Sequence, residues 1–117
     1  MKYLTRDGKY WMDIFDGNAN VGLTKMGMEE FGMFLVLATN QRTGAKVRQG
    51  QSLAAVEGVV KLGCLISPLE GTLAQSGDVY EERPEKITPE STLFSFINIT
   101  IPPNITPIKE YNALSVL

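Results

Sequence analysis

Between Gln51 and Leu73 the chain reads QSLAAVEGVVKLGCLISPLEGTL, and no other stretch limits the fold as much. Two apolar runs, Ser52–Val56 and Leu62–Ile66, flank the segment Glu57-Gly58-Val59-Val60-Lys61, and a second turn follows at Ser67-Pro68-Leu69-Glu70-Gly71. This pattern predicts a β-hairpin with a charged tip. Gly58 is expected to supply the positive φ that tight hairpin turns demand, with the strand formers Val59 and Val60 pressed against it. Lys61 is then expected to stand clear of the body of the protein.

The remaining chain reads as more short strands. Tyr10 to Phe15 alternates, Asp16-Gly17-Asn18 marks a turn, and Ala19–Leu23 completes a hairpin. Thr24 is placed to cap a short helix over Lys25–Phe31 and Gly32 to end it, with Met26, Met28 and Phe31 holding it by packing. The run Phe34-Leu35-Val36-Leu37 is continuously apolar, as in a strand buried on both faces. Asn40–Gly44 is a polar turn, and Gly50 punctuates entry into the central hairpin. Tyr80–Thr88 is charged and contains Pro84, which predicts a helical turn on a solvated surface. Leu93–Ile101 returns to the core as the last strand, and the prolines at 102, 103 and 107 are expected to stop the ladder. Ile108–Leu117 reads as a short helix or a frayed end. Many short strands separated by turns predict a mostly β, antiparallel barrel or sandwich with one or two short helices. One domain accounts for residues 1–117, with its core at about 10–101 and a Pro-rich tail at 102–117.

Composition removes several function classes. The net charge of −2 gives no electrostatic drive toward nucleic acid or an anionic membrane. There is no histidine and a single cysteine, so hydrolytic triads, thiolate clusters and zinc sites lack their residues, and no metal site is expected. The N-terminal MKYLTRDGKYWMDIF has neither a secretory h-region nor the character of a transit helix, which favours a cytoplasmic protein. The sequons at Asn98 and Asn104 are then chance products of Ile- and Thr-rich sequence.

Taken in order, Asn20-Val21-Gly22-Leu23-Thr24, a short helix closing at Gly32, the strand Phe34–Leu37, Gly50, Val56-Glu57, Ser67-Pro68 and Gly71 resemble the H protein of the glycine cleavage system, from about Tyr10 to Ile99 and with one inserted residue near Thr43. The resemblance implies a barrelled sandwich of the lipoyl/biotinyl-carrier hammerhead type. It further implies a protein that is not an enzyme but a carrier, whose hairpin lysine is acylated by lipoate. In that family the arm takes an aminomethyl group from a pyridoxal-phosphate glycine decarboxylase to a folate-dependent aminomethyltransferase, and dihydrolipoamide dehydrogenase reoxidises it. A lipoate ligase attaches the arm, with Glu57 as the neighbouring residue it would recognise beside Gly58 and Val59.

The chain departs from that pattern at the decisive position. The family's lysine lies three residues after the glutamate, where this chain has Val60, and Lys61 comes one residue later. A single step along a strand sends a side chain to the opposite face. Either a bulge at Gly58 re-aims Lys61 to the tip, or the lipoyl site is lost and the chain is a non-lipoylated H-like adaptor. The family's tryptophan near the last strand is also replaced around Phe94, and its closing helix is shortened.

Other readings carry less. A biotin carrier would flank its lysine with methionines, whereas Val60 and Leu62 flank Lys61. Cys64 lies in an apolar run and reads as a small buried hydrophobe rather than a redox partner. Tyr10, Trp11 and Phe15 read as core and rim of their strand rather than a stacking platform.

Overall fold

The structure, a computed structural model, describes residues 1–103 and 105–108. In chain order it contains β1 (Lys2–Leu4), β2 (Tyr10–Phe15), β3 (Asn18–Leu23), α1 (Lys25–Glu29), β4 (Phe34–Thr39), β5 (Lys46–Val47), β6 (Ser52–Gly58), β7 (Leu62–Ile66) and β8 (Glu70–Gln75). Two 3-10 turns at Asp78–Tyr80 and Pro84–Lys86 lead to β9 (Phe94–Thr100) and β10 (Thr106–Ile108). The expectation for Ile108–Leu117 falls, beyond the strand residue Ile108, on 109–117, outside the described residues.

The strands form two antiparallel sheets around one apolar core. The larger runs β10-β1-β2-β3-β9-β8-β5 and the smaller β4-β6-β7. Met12, Val21, Leu53, Leu65, Leu73, Phe94 and Phe96, drawn from both sheets, are almost wholly buried. Complete burial of each such side chain contributes about 1.5–3 kcal/mol, which makes this shared core the main source of cohesion.

Neither sheet closes on itself, so the barrelled sandwich is corrected to two open sheets. The large sheet ends at β5, two residues long, and at β10, three residues with Pro107 in the middle. A strand that short, or one lacking an N–H, supplies too few ladder hydrogen bonds to draw the two edges together. Pro107 does not prevent a strand, however: β10 pairs with β1 through Thr106, Pro107 and Ile108, because proline is tolerated on an edge. β9 is therefore not the last strand, and β1 and β10 extend the sheet beyond the expected core.

Several local expectations hold. Asp16 and Gly17 both take positive φ in the β2–β3 turn. The Thr24 hydroxyl accepts from the Gly27 N–H at 3.1 Å and donates to the Gly8 carbonyl at 2.6 Å, and Gly32 has φ +73° after the helix. Others do not. Of the three side chains expected to hold the helix, Phe31 and Met28 pack on the core but Met26 is exposed, and the buried Gly27 adds a close approach of its bare Cα to the Lys9 carbonyl. β4 is buried on one face only: Phe34 and Leu37 point inward, whereas Leu35 and Val36 are exposed. A register shift between Phe34 and Val36 turns two consecutive side chains outward and breaks the strict alternation.

Candidate functional site

The β6–β7 hairpin forms as expected, with Ala54 opposite Leu65, Val56 opposite Gly63 and Glu57 opposite Leu62. Gly58 donates its N–H to the Lys61 carbonyl at 3.0 Å, which leaves Val59 and Val60 as the two apical residues. Both valines are about two-thirds exposed, at 65% and 67%. Their backbones are tied down: Val59 N–H donates to Met33 O at 2.9 Å and Val60 N–H to Phe31 O at 2.8 Å. The fingertip therefore leans on the loop that follows α1.

Gly58 serves a different purpose from the one expected. It is absent from the positive-φ glycines and is buried, its Cα facing the Phe31 carbonyl so closely that a Cβ would collide with it. A glycine is needed here for approach, not for a left-handed turn. Between Ala54 and Glu57 the pairing of β6 with β7 is regular, and near the tip the irregularity lies in β4. No bulge at Gly58 carries Lys61 to the apex.

Lys61 turns back toward the body. Its Nζ lies 3.1 Å from Glu30 Oε1 and 5.6 Å from the centroid of the Phe31 ring. The same Glu30 oxygen accepts from Lys9 Nζ at 2.8 Å, so one carboxylate holds two ammonium groups. The hydrogen bond from Lys9, with that from Lys61, keeps the Glu30 carboxyl below its usual range against the opposing effect of burial. The Glu30 hydrogen bond likewise raises the Lys9 ammonium. Glu57 is exposed on the outer face of the hairpin.

Beside β7 runs a cleft of about 690 Å³ between the hairpin and the Thr5–Tyr10 turn, with Arg6, Lys9, Tyr10, Glu30, Cys64 and Ile66 among its walls. Tyr10 crosses it: its hydroxyl accepts from the Ile66 N–H at 2.8 Å, and burial pushes the phenol up to about 12. Cys64 opens onto the cleft and is exposed, which overturns the expectation of a packed thiol. Of the run Leu62–Ile66 only Leu65 is buried, because β7 covers the core with one face and shows water the other. Tyr10 and Trp11 are buried and Phe15 is exposed, as core and rim. Glu30, Phe31 and Lys9 were not legible as site residues, since nothing in their local sequence links them to a hairpin so far along the chain.

The family model described as Glycine cleavage H-protein matches residues 1–99. The chain belongs to the glycine cleavage H-protein family. Among curated H proteins, that of Synechocystis sp. is 34% identical over 68% of this chain and 64% of its own length. The Bartonella tribocorum H protein is 28% identical over 73% of this chain and 68% of its own, and that of Bacillus velezensis 27% over 64% and 58%. The matches thus span only about three-fifths to two-thirds of those relatives. A solved H protein from Mycobacterium marinum superposes with a TM-score of 0.74 at 23% identity, covering 90% of this chain and 88% of that one, a likeness of fold. H-family proteins are carriers rather than enzymes, and this chain is accordingly not an enzyme. No helix among the described residues is long and apolar enough to cross a membrane.

Proposed function

We propose that this chain is an H-type docking protein of a glycine-cleavage-like assembly whose hairpin has lost its lipoyl arm. One observation carries the reading: the apex is Val59-Val60, neither of which offers an amine, while the neighbouring Lys61 amine is drawn back onto Glu30 and the Phe31 ring. Lipoate needs a primary amine at the apex for its amide bond, and the residues there do not fit that requirement. The H-family fold is kept while the fingertip is apolar, which suits a protein that is recognised by others without carrying a group between them.

The second reading, a lipoyl carrier modified at Lys61, draws on the partial exposure of the pair. The Lys61 and Glu30 side chains are 49% and 27% exposed, and ion pairs of this kind contribute only about 0–1 kcal/mol, so a ligase could release the amine. Glycine decarboxylase, the aminomethyltransferase and dihydrolipoamide dehydrogenase would be the partners under that reading. Intact-mass measurement after co-expression with a lipoate ligase and lipoate decides between the two. The unmodified mass is expected; a chain heavier by one lipoyl group, and lighter again in Lys61→Ala, would overturn the adaptor reading.

A further inference from the structure

Among the described residues four strands form the edges of the two sheets: β10 and β5 in the larger, β4 and β7 in the smaller. Exposed edges invite pairing with foreign strands, and folded proteins blunt them with proline, brevity, charge or a covering segment. Three edges here are blunted. β10 carries Pro107, β5 is two residues long, and β4 accepts cover from the 3-10 turns, with Glu81 Oε2 accepting its Thr39 N–H at 3.1 Å. β7, Leu-Gly-Cys-Leu-Ile, has no proline, no charge and no bulge against its partner from Leu62 to Leu65, and the Tyr10 hydroxyl caps it only at its far end, on the Ile66 N–H.

The direction of its backbone groups follows from two hydrogen bonds. The Lys61 carbonyl faces β6, where it accepts from Gly58, and the Ile66 N–H faces away, toward the Tyr10 hydroxyl. Because backbone groups alternate sides along a strand, Leu62 and Cys64 turn N–H and C=O away from β6, as Ile66 does, and Cys64 and Ile66 line the cleft. Neither Leu62 nor Cys64 makes a side-chain or loop hydrogen bond among the described residues. Their side chains, exposed on the outer face, would flank any strand laid there.

We propose that this edge binds one extended peptide segment of a partner protein by strand addition, with an acidic side chain of that segment directed at Arg6. The cleft beside β7 continues past Thr5, Arg6 and Pro68 into a smaller hollow of about 190 Å³ that reaches Pro103 and Ile105. Asp7 and Glu30 are engaged by Thr5 and Lys9 and by Lys9 and Lys61, whereas Arg6 has no carboxylate partner among the described residues. Main-chain pairing supplies affinity in this mode and the charge supplies orientation. The proposal rests on the β7 backbone and holds whether or not Lys61 is acylated.

Amide hydrogen exchange followed by NMR on the full chain tests it, with the acetylated peptide Val-Glu-Val-Thr-Val-Thr at millimolar concentration as probe. Exchange at Leu62 and Cys64 is expected to slow about tenfold or more on addition of the peptide. A peptide N-methylated at alternate residues on its pairing edge should give no protection, and Arg6→Gln should weaken binding about two- to fivefold. Cys64→Pro removes the edge N–H at a position where an edge strand accepts proline, and should abolish binding; if that variant fails to fold, the N-methylated peptide tests the same main-chain pairing from the ligand's side. Three results overturn the proposal. These amides already slow in the free chain at every concentration would mean that the chain covers its own edge. Slowing that tracks protein concentration without peptide would mean a second copy. No change with peptide would mean a closed edge.

Discussion

Lys61 Nζ lies 3.1 Å from Glu30 Oε1, an ion pair that spans from the base of the hairpin tip to the end of α1. Together with the backbone bonds from Val59 and Val60 to Met33 and Phe31, it fastens the finger to the body. Replacing Glu30 by Gln should free both Lys61 and Lys9. A loss of about 1 kcal/mol in urea unfolding is expected from partly exposed pairs, with faster acylation of Lys61 by an activated ester, read by peptide mass mapping. Unchanged Lys61 labelling would show that the pair does not restrain the amine.

Val60→Lys should place an amine at the apex. Val60 is 67% exposed, so the substitution is expected to change stability by less than about 0.5 kcal/mol. Co-expressed with a lipoate ligase, this variant is expected to gain one lipoyl group that the parent chain lacks. A variant that folds and stays unmodified would mean that recognition of the hairpin, and not only the lysine, has been lost.

Gly58 and Gly63 both lie against Phe31, but against different parts of it. A Cβ on Gly58 would strike the Phe31 backbone carbonyl, which is fixed by its bond from Val60, whereas one on Gly63 would stand 2.7 Å from ring atom Cε1, part of a side chain rather than of the backbone. Gly58→Ala is therefore expected to cost more than about 2 kcal/mol and Gly63→Ala roughly half that, by urea titration. Equal costs would refute the distinction between backbone and ring.

Stability should fall at both ends of the pH scale for separate reasons. Glu30 is held below its ordinary 4.5 by its hydrogen bond from Lys9, so its contribution is complete above that value and disappears as pH falls through the lower folded-state value. Tyr10 is raised from 10.0 to about 12 by burial, so the unfolded chain ionises first and stability declines as pH climbs between those values. Urea midpoints measured against pH should show both slopes, the acid one reduced in Glu30→Gln and the alkaline one in Tyr10→Phe. An alkaline slope that persists in Tyr10→Phe would place its origin elsewhere.

Much of the fold could be read from local pattern. The β2–β3 hairpin, the Thr24 cap, the β6–β7 hairpin and the H-family order of turns each depend on residues close in sequence, where φ preferences and side-chain alternation act directly. Burial was less legible: the apolar runs of β4 and β7 suggested inward packing, yet each has one wet face, since a run of apolar residues does not say how many layers cover it.

The sequence alone determined that a valine stands where the family places its lysine, that a lysine follows, and that a short hairpin presents them. Only the tertiary structure decided where that lysine goes, that the sheets stay open, and that β7 keeps Leu62 and Cys64 open on its edge. The reason is one of range. A hairpin's own register is set within about ten residues, whereas Glu30, Phe31 and Tyr10 reach the finger only after the chain has folded back on itself, and no short-range preference encodes such meetings.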